Sequence, residues 1–166
     1  MQYELKALSK EALPMARERA RTYRLLNEPS QAESICRDIL RVDPDDVEAL
    51  ILLVLSLTDQ FDHGLAGRFA RAQEIVVRLP DDYRRCYYSG IVCERRARAH
   101  LRQNIHNLVP VVHEWLERAM GWYEKAEQIR PKGNDEALLR WNSCARTIMD
   151  HKLTPVAETR FDPLLE

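Results

Sequence analysis

The chain has 166 residues, a length that suits one domain or a short array of repeats. Hydrophobic residues make up 45% and charged residues 31% of it, which excludes a disordered chain, and five glycines are too few for the turns of a β-barrel or a β-sandwich. The formal net charge of −1 excludes a generally basic nucleic-acid-binding protein. The composition therefore predicts an all-α fold.

The amino-terminal segment carries charges throughout and lacks the apolar core of a signal peptide. The longest apolar run, residues 49–55, is far shorter than the roughly 20 residues that a membrane helix needs. The cysteines form no CxxC pair and no ligand set with histidine, which is typical of buried thiols in a reducing compartment. We therefore expect a cytoplasmic protein with no membrane contact and no bound metal.

Three stretches of the chain end in a proline, at Pro44, Pro80 and Pro131. A helix ends before proline because the ring clashes with the preceding turn and the nitrogen carries no hydrogen. Acidic side chains follow, and they suit the first turn of the next helix. A small or aromatic residue stands eight positions before each proline. These residues are Cys36, Ala72 and Tyr123.

The same register continues upstream of those positions. The first unit reads Ala16-x2-Arg19-Ala20-x2-Tyr23, Ala32-x3-Cys36 and Pro44; the second reads Leu50-x2-Leu53-Val54-x2-Leu57, Ala72 and Pro80; the third reads Cys86-x2-Ser89-Gly90-x2-Cys93, Ala119-x3-Tyr123 and Pro131. This pattern resembles the tetratricopeptide repeat (TPR), whose signature is W-x2-L-G-x2-Y, A-x3-F and P over 34 residues.

The resemblance implies an α-solenoid of about three TPR-like helix hairpins and a carboxy-terminal capping helix. The predicted domain covers residues 1–151, and an extended tail follows at 152–166. The repeats are predicted at 13–46, 47–82 and 83–133, and the capping helix at 134–150.

The third hairpin is predicted to be lengthened, because it holds about seventeen residues more than the repeat spacing allows. Two long helices, about 81–103 and 109–130, account for the excess, with Asn107 as a cap and Pro110 as an early helical residue. Insertions of this kind lie on one edge of a solenoid, often the binding edge.

In the TPR family, the first helix of each pair lines a groove that takes an extended peptide. By register, the partner-binding residues here would be Arg17, Arg21, Arg24, Ile51, Leu55, Arg84, Tyr87, Tyr88, Ile91, Arg95 and Asn142. The predicted groove is apolar at its centre and rich in arginine at its ends, which suits a peptide with hydrophobic anchors and carboxylates. The family's Lys and Asn clamp for chaperone tails is not matched.

Other interpretations of these residues stay open. Arg17, Arg21 and Arg24 also fit a solvated helix face with Glu18 and Glu28 as neighbours. Ile51 and Leu55 also fit plain burial, because the helix around them is apolar on every side. The tail either lies in the groove or is unstructured.

The stretch from Tyr83 to Arg102 carries six arginines and interleaved tyrosines, as RNA-binding surfaces do. Local salt bridges are the simpler interpretation, and we expect the acidic residues of the following helix to be the partners. These are residues 114, 117, 124 and 127.

No motif points to catalysis. The five histidines form no HExxH or facial-triad spacing, and there is no phosphate loop or nucleophile elbow. We therefore predict a non-catalytic protein-protein interaction module without cofactors, an adaptor for a peptide or a partner helix. The alternatives are a homo-oligomeric scaffold, such as a homodimer, and an RNA-associated accessory protein that uses the arginine-rich third repeat.

Overall fold

A computed structural model describes residues 3–103 and 108–155, and no β-strand occurs in these two ranges. They form seven α-helices after a short 3-10 turn at Lys10–Ala12. The helices are α1 (Leu13–Leu25), α2 (Pro29–Val42), α3 (Val47–Asp59), α4 (Leu65–Val77), α5 (Asp82–Arg102), α6 (Val109–Gln128) and α7 (Glu136–Asp150). The prediction of an all-α fold is confirmed.

Proline separates the helices where the sequence predicts it. Pro44, Pro80 and Pro131 lie in the links that follow α2, α4 and α6. The Asp46 side chain caps α3 by accepting a hydrogen bond from the Ala49 amide at 2.9 Å, and Asp81 caps α5 in the same way. At α7 the expected cap is absent on Asp135, and the side-chain oxygen Oδ1 of the neighbouring Asn134 accepts from the Glu136 amide instead.

The two longest helices are α5, with 21 residues, and α6, with 20. Their bounds lie within two residues of the predicted ranges, and Pro110 lies in the first turn of α6 as expected. The predicted cap, Asn107, lies outside the described residues. So does most of the predicted tail, residues 156–166.

Each helix packs against the next one in the chain, and α5 and α6 share the largest interface. Odd-numbered helices also contact one another, α1 with α3 and α3 with α5. Arg17, early in α1, pairs with Asp46 just before α3, and Arg24, late in α1, pairs with Asp59 at the end of α3. Helices α1 and α3 therefore run in the same direction.

Two large groups of buried apolar side chains hold the helices together. The first core lies between α1, α2, α3, α4 and α5 and includes Leu50, Leu53 and Leu57. The second core lies between α5, α6 and α7 and includes Leu116 and Tyr123. Each fully buried leucine contributes about 1.5–3 kcal/mol to folding, so the two cores are the main source of stability.

The residues that carry the repeat register lie inside these cores. All but four of the named small or aromatic positions are buried, including Cys36, Ala72 and Tyr123. The four partly exposed ones are Ala16, Tyr23, Cys86 and Ser89. The proline-based register thus predicts which face of each helix is buried.

Gly90 on α5 shows how closely two of these helices approach. A Cβ atom on Gly90 would stand 2.7 Å from Cδ1 of Tyr123 on α6, closer than carbon atoms pack. The Tyr123 ring is fully buried, so it has no free space into which to move. Glycine at this position therefore permits the tight α5–α6 contact.

None of the helices in the described ranges is long and apolar enough to cross a lipid bilayer.

Candidate binding cleft

A row of ion pairs links α1 to α3. Arg17 Nε lies 2.7 Å from Asp46 Oδ2, and Arg24 Nε lies 2.6 Å from Asp59 Oδ2. Between these two pairs, Arg21 contacts Glu48. The three arginines are spaced by three or four residues, so they share one face of α1 and meet one face of α3.

The α1 arginines do not pair with Glu18 and Glu28. Carboxylates at the start, in the first turn and at the end of α3 are their partners instead. The partners are 29 residues apart for Arg17 and Asp46, and 35 for Arg24 and Asp59. Only the packing of α1 on α3 brings such distant residues together.

Arg95 of α5 joins the same row from the other side of α3. Its Nη1 donates to Thr58 Oγ1 at 2.9 Å, to the Leu55 carbonyl oxygen at 3.2 Å and to Asp59. Asp59 therefore accepts from both Arg24 and Arg95. Three of the predicted groove residues, Arg24, Leu55 and Arg95, therefore lie close together around the end of α3.

A cleft of about 540 Å³ opens at this junction. It lies between the carboxy-terminal ends of α1 and α3 and the second half of α5. Arg102 forms its far side and donates to Asp62 from Nε at 3.1 Å and from Nη2 at 3.0 Å. The lining residues are Arg24, Leu25, Asn27, Thr58, Asp59, Asp62, Arg95 and Arg102.

The predicted apolar centre lies on α3 and α5. Ile51, Leu55, Tyr87 and Tyr88 are all half-buried, with one side packed on the cores and the other accessible. Ile91 is different, because it is 1% exposed and belongs to the second core. The prediction that Ile91 contacts a partner is therefore wrong for the folded chain.

Three tyrosines of α5 form an aromatic cluster beside that centre. The rings of Tyr83 and Tyr87 stack with centroids 6.0 Å apart, and Tyr88 meets Tyr87 edge-on at 5.1 Å. Burial raises the pKa of Tyr88 to about 12, so its hydroxyl stays protonated at neutral pH. The cluster offers half-buried aromatic surface beside the apolar centre.

Two predicted site residues lie apart from the cleft. Arg84, at the start of α5, is exposed and contacts Asp81 one turn earlier. Asn142 on α7 lines a separate pocket of about 300 Å³ with Trp141 and Leu138. Neither residue lines the 540 Å³ cleft.

The arginines of α5 pair with other carboxylates than the sequence suggests. Arg98 donates to Glu94 on its own helix, and Arg96 lies over the Trp115 ring at 4.1 Å. The acidic residues of α6 that were expected as partners contact other groups. Glu114 contacts Arg118, Glu117 contacts His113, Glu124 contacts Trp141 and Glu127 contacts Arg130. Five of the six arginines from Tyr83 to Arg102 form ion pairs within the chain, as local salt bridging predicts, and the sixth, Arg96, lies over aromatic rings. The carboxylates in these pairs are not the predicted ones of α6.

Glu94 is a buried carboxylate that the sequence analysis did not single out. It is 1% exposed and accepts hydrogen bonds from the Tyr123 hydroxyl at 2.7 Å and from Arg98 Nε at 2.8 Å. Arg140 on α7 approaches it at 3.4 Å. The available signal was a charged residue between Cys93 and Arg95, at a position that the register places on the groove side. In the sequence alone, such a residue cannot be distinguished from a solvent-exposed glutamate.

In the described ranges, no group of three or more His, Cys, Asp or Glu side chains is placed to hold a metal ion. Comparison with protein-family models, with curated proteins and with solved structures gave no match. The case for a function therefore depends on the cleft and on the apolar surface beside it.

Proposed function

We propose that this chain is a non-catalytic interaction module of stacked TPR-like helix hairpins. The accessible face of α1, α3 and α5 would take a peptide or a partner helix. The observation that carries this proposal is that Ile51, Leu55, Tyr87 and Tyr88 are half-buried on α3 and α5, and that Arg95 of the polar cleft donates to the Leu55 carbonyl oxygen.

The chemistry of this surface suits a ligand with apolar anchors. Leucine and isoleucine supply area that loses water on contact, and half-buried tyrosines add rigid aromatic surface at a low entropic cost. The arginines of the cleft steer acidic partners and select their register more than they add affinity. An acidic peptide with hydrophobic side chains is therefore the best-matched ligand.

The repeat architecture supports the same conclusion by a separate route. Most small residues of the register are buried, prolines separate the helix pairs, and odd-numbered helices contact one another. Helix pairs stacked in this way present their first helices as a continuous surface. A peptide that spans several repeats would use that surface.

Selection of a random dodecapeptide library on the purified chain tests the proposal. We expect enrichment of peptides with two or more large apolar residues, and a loss of binding of at least tenfold in Ile51→Asp and in Tyr87→Ala. Val77→Asp on α4 is the matched control, because Val77 is 73% exposed and lies on a second helix of a pair. Equal binding by Ile51→Asp and Val77→Asp would contradict the proposal.

Self-association is a second candidate, and a different observation favours it. Leu139 and Met149 on α7 are 63% and 65% exposed, and Met15 lines an apolar pocket at the α1–α2 end. Apolar ends of a stacked array are commonly covered by a second copy. Light scattering at micromolar concentration decides between the candidates: a dimer that Leu139→Asp dissociates supports the scaffold, and a monomer contradicts it.

A further inference from the structure

The cleft holds two guanidinium groups that share one carboxylate. Arg24 Nε donates to Asp59 Oδ2 at 2.6 Å, and Arg95 Nη1 contacts Asp59 from the opposite side. Each arginine carries five N–H donors. Among the described residues, the remaining nitrogens of these two side chains have no hydrogen-bond partner. Most of their donors are therefore available to a ligand.

The charges of the cleft do not balance. Arg24, Arg95 and Arg102 contribute three positive charges and Asp59 and Asp62 two negative ones, so the sum is +1. Arg102 and Asp62 form a two-bond pair that is neutral by itself. The excess positive charge therefore lies at the group Arg24–Asp59–Arg95.

The environment of Arg95 is consistent with an excess of positive charge at this group. Its side chain is 19% exposed, and burial lowers the pKa of its guanidinium. Attraction to Asp59 offsets part of this effect, but the neighbouring Arg24 and Arg140 lower the pKa further. An additional anion at this place would stabilise the charged form of Arg95.

We propose that Arg24 and Arg95, whose two charges Asp59 only partly neutralises, bind a side-chain carboxylate of the peptide that occupies the cleft. This inference rests on the proposed function and names the ligand chemistry of one end of the surface. Planar guanidinium groups match a carboxylate through paired hydrogen bonds, which lysine cannot reproduce. Leu55 lies one helical turn before Asp59, so the acidic residue of the ligand would stand next to an apolar anchor.

The probe is the peptide acetyl-Leu-Glu-Glu-Leu-amide, with acetyl-Leu-Gln-Gln-Leu-amide as its uncharged counterpart. Binding is followed by the ¹H–¹⁵N signals of the arginine Nε groups in the full chain at constant ionic strength. We expect saturable shifts of the Arg24 and Arg95 signals with the glutamate peptide, and an affinity about tenfold lower for the glutamine peptide. Equal affinities would overturn the inference, and so would tighter binding of inorganic phosphate than of the glutamate peptide.

Two substitutions with opposite expected effects separate ligand binding from a structural role. Arg24→Gln should weaken binding of the glutamate peptide about tenfold, whereas Arg118→Gln on α6, outside the cleft, should leave it unchanged. Asp59→Asn removes the competing carboxylate and should tighten binding several-fold, even though it lowers the melting temperature. Weaker binding in Asp59→Asn would show that the group only holds the helices together and would overturn the inference.

The outcome is distinguishable from failure of the proposed function. If selected peptides still depend on Ile51 but do not discriminate glutamate from glutamine, the interaction surface stands and only the carboxylate site is refuted. If neither dependence is found, the proposed function fails as well.

Discussion

The Arg21–Glu48 pair of the first half and the Glu94 group of the second half place their charges differently. In α1–α4, Arg21 and Glu48 link α1 to α3 on the surface and keep 54% and 37% of their side chains exposed. In α5–α7, the Glu94 carboxylate lies inside the second core and receives hydrogen bonds from Tyr123 and Arg98. Surface pairs contribute little to stability, whereas an unpartnered buried charge is costly. Glu94 should therefore contribute more to stability than the Arg21–Glu48 pair.

Glu94→Gln tests this difference most strongly. The substitution keeps the shape of the side chain but leaves Arg98 and Arg140 without their carboxylate, so we expect a loss of about 3 kcal/mol in the free energy of unfolding. Urea denaturation measures this change. Glu114→Gln, which breaks an exposed pair with Arg118, is the control and should stay within about 0.5 kcal/mol of the parent. A loss below about 1 kcal/mol in Glu94→Gln would contradict the comparison.

Gly90→Ala tests the packing of the second half in the same assay. The added methyl group would collide with the buried Tyr123 ring, so we expect a loss of about 1–3 kcal/mol. Gly121→Ala is the matched substitution, because a Cβ there meets nothing within 4 Å and alanine favours a helix interior. It should be stabilising by about 0.5–1 kcal/mol. A change in the free energy of unfolding of the same sign in both variants would refute the close α5–α6 contact.

Arg21→Gln tests the first half. Because both partners of the Arg21–Glu48 pair are exposed, we expect a loss of at most about 0.5 kcal/mol in the free energy of unfolding. The loss should shrink further in 0.5 M salt, because ions screen exposed charges. A salt-independent loss above about 1 kcal/mol would show that this ion pair is a main support of the α1–α3 contact.

His100, near the end of α5, gives the smallest expected effect. Burial and then the neighbouring Arg96 lower its pKa in the folded chain below the ordinary value of 6.5. Below pH 6.5 the unfolded chain therefore binds more protons at this residue, and stability falls as the pH is lowered through the folded-state pKa. The melting temperature between pH 7.5 and pH 5 should fall about 1 °C less in His100→Gln than in the parent.

Local signals in the sequence were enough to predict the helices. Proline and the aspartates that follow it act on their own neighbours, which is why the bounds of α5 and α6 agree with the prediction to within two residues. The buried register of Cys36, Ala72 and Tyr123 depends on the same periodicity.

The partners of the charged groups could not be predicted in this way. Asp59 pairs with Arg24 and Arg95, which are 35 and 36 residues away in the sequence. No feature of the neighbouring sequence distinguishes Asp59 from Asp62. The repeat register places Ile91 on the groove side of α5. It does not show how many helices surround that position. Helix α5 contacts α3, α4 and α6, so it buries more of its surface than a first helix at the end of the series.

The central claim is that a ligand occupies the accessible face of α3 and α5. Intermolecular nuclear Overhauser effects between a selected peptide and the methyl groups and rings of the full chain test it directly. We predict contacts to Ile51, Leu55, Tyr87 and Tyr88, with no contact to Val77. Contacts to Val77 or to Leu139 in place of the α3–α5 residues would contradict the account.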